Sequence, residues 1–491
     1  MSSDHPPYDP QADATATQSS DRAIRRASSP GGRGQWPGDV PTLPPTVHLA
    51  SGPSGEPSSS WQPPTIAAPA ASPPHPGGTP PQPQRGVSRR NLLIGVGAGA
   101  VGVGAAAAGL TFFLSMRGAA GIPNVFASDA GQISHLLRRA GFGPSPADIG
   151  DYLSAGVSGT IDRLLDYTDI HDDLDQKIAA LNLDLSTADG LVRWWVLRMI
   201  YSRRPLEEKL TLFWHGVLTS SITKVGGKRG FPLMVQQNNL LRQKAMGRFD
   251  DLVAAISTDP AMLHWLDGNR STGRSPNENY ARELMELFTM GVGNYTQDDV
   301  HQGALALTGW AIQGGKGVFI PARHFNGSVT FLGHTGQMGL SEVVKLVCAH
   351  PATGKHLAYR MWSFFVAENP SDADLKPLAD AYYRSNHSIR AMVEAMLKSP
   401  ALLSPQTYRS RVKSPLEFAV GAVRGLGLST DAKGLTALLA AMGQIPFDPP
   451  DVSGWPGDTL SAAWVSTGSW ITRVNLINSL VAAASGIGSR Q

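Results

Sequence analysis

Three polar side chains share one flank of a predicted helix, with a spacing that suits a site. Asn279, Glu283 and Glu286 stand at i, i+4 and i+7 in NENYARELMELF, on one side of an α-helix. A carboxylate beside an apolar stripe is partly desolvated and must find a partner or change its pKa. This arrangement would suit acid–base or metal chemistry, with Glu283 as base or metal ligand, Glu286 as second carboxylate and Asn279 as positioning group. The structural alternative is that these side chains form ion pairs with neighbouring helices. The predicted stripe consists of Tyr280, Leu284, Leu287 and Phe288.

His215 is the fourth candidate, as a metal ligand or proton carrier. In LEEKLTLFWHGV the periodicity places it away from the apolar stripe and beside Glu208, so we expect a partly exposed histidine rather than a core residue. His324 and His334 fall in a predicted hairpin and loop, and His356 on a helix flank. A divalent metal is left open as a cofactor, although the Glu-x-x-His element of carboxylate-bridged helix bundles is absent.

The elements that would hold these residues are helices from residue 131 onward. Apolar side chains recur every three or four residues in stretches such as LVRWWVLRMIY and FDDLVAAIS, and the pairs Ser145-Pro146, Asp259-Pro260, Ser275-Pro276 and Ser414-Pro415 predict helix starts. Residues 310–336 instead have Gly-Gly between alternating apolar residues, which predicts a β-hairpin and a following loop. The predicted fold class is mainly α: a multi-helix globular body with a small inserted β-hairpin.

The chain before this body divides into three predicted segments. Residues 1–87 hold more than half of the 37 prolines and are predicted to be disordered. Residues 88–114 open with Ser-Arg-Arg and continue with an uncharged stretch, 92–114, long enough to cross a bilayer at roughly 1.5 Å per residue. This pattern is typical of a twin-arginine signal or a signal-anchor helix with a cytoplasmic N-terminus. Residues 115–130 would be a linker and 131–485 an extracytoplasmic domain, either anchored by a single pass or secreted after signal cleavage.

Composition limits the other classes of partner and cofactor. The net charge is +3 and no basic run interleaves with aromatic residues, so nucleic acid is not a predicted partner. The single cysteine, Cys348, excludes an intramolecular disulfide and any metal site built from clustered cysteines.

Several longer motifs together suggest a family. In order they are HLLRRAGFGPSPADI, KLTLFWHGVLTSS, DPAMLHWLDGNRSTGRSPNENYARELMELFTMGVGNYTQDDV, ALTGW, HPATGKHLAYRMWSFFV, VKSPLEFAVGAVRGLG and GQIPFDPPDVSGWPGDTLSAAWVSTGSWITRVNLIN. Over about residues 131–483 the chain resembles the bacterial family catalogued as domain of unknown function 1800. The resemblance implies an exported, largely helical protein, supplies no reaction, and suggests a co-exported protein with an alkaline-phosphatase-like fold as partner. Gly216-Val217 and Phe288 stand where the family often has histidine or another polar residue.

Three functional hypotheses follow from these features. The first is an exported, metal-assisted or metal-free hydrolase-like enzyme that acts on envelope or extracellular polymer, with Glu283, Glu286, Asn279 and His215 as its site. The alternative is a non-catalytic scaffold or accessory protein, which predicts an apolar surface patch and no convergent polar cleft. The third is a carbohydrate-binding module in which Trp455, Trp464 or Trp470 stacks on sugar rings, whereas packing onto the body is the structural alternative for these tryptophans.

Overall fold

The computed structural model of the protein describes residues 125–146 and 148–485. The segment predicted to be disordered, the predicted export segment and residues 115–124 of the predicted linker lie outside these ranges. Among the described residues, no helix combines the length and the apolar character that a membrane span requires. The first helix begins at Asp129, within the predicted linker, because the Ser128 hydroxyl accepts a hydrogen bond from the Gly131 amide and so caps the helix.

The described chain is mainly helical, which confirms the helical part of the predicted fold class. The first helices are α1 (Asp129–Arg139), α2 (Ile149–Leu165), α3 (Leu174–Ala179), α4 (Ala188–Tyr201), α5 (Pro205–Val217) and α6 (Ile222–Val225). They are followed by α7 (Phe231–Gln243), α8 (Phe249–Ser257), α9 (Pro260–Trp265), α10 (Glu278–Glu283) and α11 (Gln297–Ala306). The C-terminal helices are α12 (Leu340–Ala349), α13 (Pro351–Phe365), α14 (Asp372–Arg384), α15 (Ile389–Leu397), α16 (Pro415–Gly425), α17 (Leu435–Met442) and α18 (Thr467–Ala484).

A β-hairpin lies where the sequence predicts it. Strand β1 (Trp310–Gln313) pairs antiparallel with β2 (Lys316–Phe319). The turn residues Gly314 and Gly315 both have positive φ, 57° and 75°, as a two-residue hairpin turn requires. The loop that follows contains a second, unpredicted hairpin of β3 (Val329–Phe331) and β4 (His334–Gly336).

Two of the four predicted helix starts are confirmed. Asp259 and Ser414 each accept a backbone amide hydrogen bond at the N-cap. The other two helices begin later, at Ile149 and at Glu278, with Asp148 and Asn277 in the N-cap position. The Ser275 prediction is therefore wrong, because the Asn277 side chain caps the helix instead. Ser145 does accept the Asp148 amide with its hydroxyl at 3.1 Å and the Ile149 amide with its carbonyl, so it supports the start of α2 although the helix begins at Ile149.

Helix α5 lies at the centre of the domain and is buried on all sides. All but one of its residues are buried, including Glu208 and Lys209, and the exception is the partly buried Glu207. Glu208 accepts hydrogen bonds from Arg198 on α4 and Arg242 on α7, and Lys209 pairs with Glu417 on α16. Its polar face is therefore satisfied by ion pairs with neighbouring helices instead of by water.

A π-helical segment, Leu284–Thr289, continues α10. The amide of Met290 donates to the carbonyl of Met285, five residues earlier, and the Thr289 hydroxyl donates to the Leu284 carbonyl at 2.5 Å. The wider turn changes the phase of the helix, so Met285 is fully buried and Leu287 only partly buried. The predicted apolar stripe, which assumed 3.6 residues per turn, lacks the fully buried Met285, whereas Leu287 packs against the core as a partly buried residue.

Candidate functional site

The predicted carboxylates lie on one half-buried flank at the junction of α10 and the π-helical segment. Burial raises the pKa of Glu283, and the nearby charge of Glu286 raises it further. The Tyr295 hydroxyl donates a hydrogen bond to the Glu286 carboxylate. Asp451, from the loop between α17 and α18, adds a third negative charge that also raises the pKa of Glu283. Arg282 lowers the pKa of Glu283, so the flank is a cluster of three carboxylates whose mutual repulsion one cation offsets in part.

The cation in this helix serves a different carboxylate. Arg282 lies 3.4 Å from Glu278 as the predicted i,i+4 pair, and it also donates to Gln297 at 2.9 Å. Asn279 is exposed in the first turn of α10, and its side chain makes no hydrogen bond within the described part of the chain. The structure thus brings Glu283 and Glu286 together and leaves the predicted positioning role of Asn279 without a contact.

His215 is buried, so the expected partly exposed histidine is a wrong prediction. Its side chain is enclosed by the rings of Trp195, Phe447 and Trp455, with centroid distances of 5.2, 5.7 and 5.6 Å. Burial alone lowers its pKa to about 3, which keeps the imidazole neutral. Periodicity misplaced it because α5 has no solvent-facing side. An aromatic cage surrounds His215 in place of the predicted carboxylates.

The remaining histidines do not complete a metal centre. His356 meets the π-helical segment through its Nε2, 3.1 Å from the Leu287 carbonyl, whereas His324 contacts Thr308 and His334 is exposed. Among residues 125–146 and 148–485, no group of three histidine, cysteine, aspartate or glutamate side chains is placed to hold a metal ion.

Two of the three tryptophans considered for sugar stacking are core residues. Trp455 and Trp464 are buried, in agreement with packing of the loop onto the body. Trp470 is 62% exposed at the start of α18. Any stacking role is therefore confined to Trp470 and remains a prediction.

A cationic cavity is the most distinctive feature of the domain, and the sequence analysis did not identify it. It has a volume of about 350 Å³ and lies between α1 and the segment 407–413. Residues 135, 138 and 139 of α1 face it because i, i+3 and i+4 share one side of a helix. The lining residues are His135, Arg138, Arg139, Thr407, Tyr408, Arg409, Ser410, Arg411, Lys413 and Glu417. Arginine and lysine side chains thus face a single carboxylate.

Two of these arginines have a structural partner. Arg139 donates to the carbonyls of Phe365 and Val366 at 2.7 and 3.1 Å, at the C-terminal end of α13. Arg411 donates to the carbonyls of Phe364 and Asp458, the latter at 3.0 Å. Both therefore satisfy carbonyls that a helix end or a loop leaves unpaired.

The other three cations have no ion pair with any described residue: Arg138, Arg409 and Lys413. Burial lowers the pKa of Arg138, and Arg409 lowers it further. Burial also lowers the pKa of Lys413; the charge of Glu417 opposes this effect, and Arg138 and Arg139 add to it. Mutual repulsion of this kind marks a positive field that Glu417 compensates only in part and that an anion would neutralise.

A second layer of charges continues inward from the cavity. Burial opposes ionisation of Glu417, but Lys209, Arg139 and Arg411 together lower its pKa to about 2. Burial raises the pKa of Asp458 to about 7, against the opposing effects of Arg411 and Arg360. Gly216 leaves room for Asp458, since an added Cβ there would lie 2.7 Å from its Oδ2.

The longer sequence motifs converge on this network. HLLRRAG supplies Arg138 and Arg139, VKSPLEF supplies Lys413 and Glu417, and SGWPGD supplies Asp458. A signal was available in the sequence, because RR and RSRVKS are the two basic clusters that meet. Neither cluster is unusual alone, and periodicity gives no indication that they are neighbours.

The fold and this network define a predominantly helical domain with a buried ionic centre. Residues 135–490 match the model of the family described as "Protein of unknown function (DUF1800)", so the chain belongs to that family, as the resemblance predicted. No curated protein and no solved structure matches the chain.

Proposed function

We propose that this domain recognises an anionic group in its cationic cavity, as the binding component of an extracytoplasmic protein. The observation that carries the proposal is the set of cations without an ionic partner, Arg138, Arg409 and Lys413, around a cavity of about 350 Å³. A site that holds these charges against their mutual repulsion is suited to a ligand that supplies negative charge. The ligand class is a phosphoryl, sulfuryl or carboxylate group, such as envelope or extracellular polymers carry.

The geometry supports recognition of a single charged group. Arg139 and Arg411 are fixed by backbone carbonyls and form a rigid positive wall. The side chains of Arg138 and Lys413 make no hydrogen bond to a described residue, so their donors are available to a ligand. A preorganised wall with a few available donors limits the entropy that binding costs, as in other small-ligand sites.

Localisation and partners complete the proposal. Residues 88–114 would export the domain and residues 92–114 would anchor it, so the cavity would bind groups outside the membrane. A co-exported protein with an alkaline-phosphatase-like fold remains the proposed partner on the resemblance alone.

Calorimetric titration of the full-length protein with inorganic phosphate or sulfate tests the proposal. We expect binding that weakens as ionic strength rises. Arg138→Gln with Lys413→Gln should weaken it about tenfold or more, without lowering stability, because the two cations repel their neighbours. Arg274→Gln with Lys345→Gln is the matched control, since both residues are exposed and the change in net charge is the same. Equal losses in both variants, or no anion binding by the wild type, would contradict the proposal.

A second candidate function is favoured by the carboxylate flank. Glu286 accepts a hydrogen bond from Tyr295, and burial and Glu286 raise the pKa of Glu283, so the Glu283 carboxyl is biased toward its protonated form. A carboxyl with a raised pKa beside a second carboxyl group is what a general acid and its partner need in a hydrolase that acts on polymer. Glu283→Gln should then abolish hydrolysis of envelope polysaccharide while anion binding in the cavity persists. Metal analysis of the purified protein tests the metal-assisted variant of this candidate.

A further inference from the structure

The cationic cavity contains a buried histidine beside its cations and the Glu417 carboxylate. His135 lies on α1, three and four residues before Arg138 and Arg139, and its ring lines the cavity. The side chain is 3% exposed, and its Nε2 has no hydrogen-bond partner within the described ranges. A buried polar atom without a partner is costly, so a ligand that satisfies it gains affinity.

The protonation state of His135 decides what that atom requires. Burial, together with Arg139 and Arg138, lowers its pKa to about 4, so the ring is neutral at pH 7. The backbone of Leu402 favours a proton on the ring. Because Nε2 is the unpartnered atom, we assign the ring proton to Nδ1 and the lone pair to Nε2.

Aromatic packing holds the ring in this orientation. Phe126 meets His135 edge to face at a centroid distance of 5.2 Å, and Tyr408 lies 5.9 Å away. A neutral imidazole fixed in this way presents an acceptor, whereas the surrounding Arg and Lys side chains present only donors.

We infer that the cavity selects an anion that carries its own hydrogen-bond donor, an O–H within reach of His135, over an anion that has only acceptors. The inference rests on the proposed function and adds a ligand class to it. A phosphate monoester in its protonated form, or an acid with a neighbouring hydroxyl such as a sugar acid, meets the requirement. A sulfate ester does not, because its oxygens would face the Nε2 lone pair. A buried acceptor that stays unpaired in one complex and is satisfied in the other is a common source of discrimination.

Two matched ligand pairs test this on the full-length protein. Inorganic phosphate is compared with sulfate at pH 6.5, and glycolate with acetate, which lacks the hydroxyl. If the required O–H donor lies on the charged group itself, we expect phosphate to bind at least about tenfold more tightly than sulfate. We expect glycolate to exceed acetate by a similar factor when the donor is a neighbouring hydroxyl. A preference within either pair supports the inference and identifies the donor; equal affinities within both pairs overturn it.

Variants at position 135 assign the preference to the histidine. His135→Phe keeps a ring against Phe126 and Tyr408 but removes the acceptor, so the preference within each pair should disappear. His135→Gln, whose amide can also donate, should bind sulfate more tightly than the wild type does. His334→Phe is the control, because that histidine is exposed.

Unchanged selectivity in His135→Phe would overturn the inference. If that variant fails to fold, the wild-type ligand comparison still decides. Binding of all four anions without preference, lost in the Arg138 and Lys413 variant, would leave the proposed function intact and refute only the selectivity. Absence of all binding would refute the proposed function itself.

Discussion

Lys209 of α5 and Glu417 in the first turn of α16 form a buried ion pair that joins the centre of the domain to the wall of the cationic cavity. The lysine side chain has no exposure and the glutamate side chain is 12% exposed. Glu417 also faces Arg139 and Arg411, so it is the one anion among three cations. The two partners are therefore not equivalent: removal of the anion leaves three cations, whereas removal of Lys209 leaves two that still neutralise it.

This asymmetry gives the first prediction. Glu417→Gln, which keeps the shape of the side chain, should lower the free energy of unfolding by about 3 kcal/mol or more, because buried cations lose their partner. Lys209→Met should cost clearly less. Urea denaturation of both variants and of the double variant measures the difference and the coupling. Lys376→Met, in an exposed pair with Asp380 at 2.7 Å, is the control and should leave stability nearly unchanged. A larger loss for Lys209→Met than for Glu417→Gln would contradict the prediction.

The second prediction concerns pH and Asp458. Burial raises its pKa to about 7, whereas an aspartate in the unfolded chain has a pKa of about 4. The folded protein therefore binds an extra proton between these values, and the stability this contributes is full below about pH 4 and is lost as the pH rises through about 7. Asp458→Asn removes that loss. The difference in unfolding free energy between the variant and wild type, measured by chemical denaturation, should favour the variant more at pH 8 than at pH 5.

Asp431 provides the control of opposite sign. Burial opposes its ionisation, but hydrogen bonds from Lys433 and the charge of Arg193 give it a lowered pKa. Its contribution is therefore present at neutral pH and lost on acidification. Asp431→Asn should be destabilising at pH 8 and less so at acidic pH. The same trend in both variants would show that the pH effect is not specific to Asp458.

The third prediction distinguishes a site from a set of structural ion pairs at the carboxylate flank. Glu283→Gln removes one of three neighbouring negative charges, so the melting temperature should stay constant or rise. The gain should be at most about 1 kcal/mol, because the flank is half exposed and solvent screens the repulsion. Glu278→Gln is the matched control, since it breaks the 3.4 Å pair with Arg282 and should not raise stability. A clear drop with Glu283→Gln would show that this carboxylate is structural.

The fourth prediction concerns topology. An alkaline phosphatase reporter fused after residue 130 should be active, because the preceding segment would export it. Replacement of Arg89 and Arg90 by lysine should abolish export if the twin-arginine pathway is used. Continued export of the double-lysine variant would exclude that pathway and leave a general signal anchor.

Local features of the fold could be predicted from the sequence where one force dominates. The Gly314–Gly315 hairpin followed from turn geometry, and the Asp259 and Ser414 caps from side-chain hydrogen bonding. The π-helical segment could not be predicted, because the five-residue hydrogen bond to Met285 depends on packing around the helix rather than on a local preference.

The candidate site was predicted only in part, for a different physical reason. Glu283 and Glu286 are local neighbours, so helical spacing was sufficient to place them together. The predicted exposure of His215 was wrong because a helical wheel distinguishes polar from apolar faces but not exposed from buried ones. The polar face of α5 is buried and forms ion pairs with neighbouring helices. The cationic cavity needs contacts between distant parts of the chain, for which one sequence contains no direct signal.

The hydrogen bond from Arg139 to the Phe365 carbonyl joins residues 226 positions apart. One wall of the cavity comes from α1, the first α-helix in the described part of the chain, and the other comes from residues 407–417. A nascent chain therefore carries Arg138 and Arg139 through the synthesis of the next 226 residues without the Phe365 carbonyl that receives Arg139. Formation of the cavity is a late, long-range closure, and contacts of this kind are slow to form. During translation these arginines are exposed cations, available to chaperones and to the anionic membrane surface before the domain encloses them.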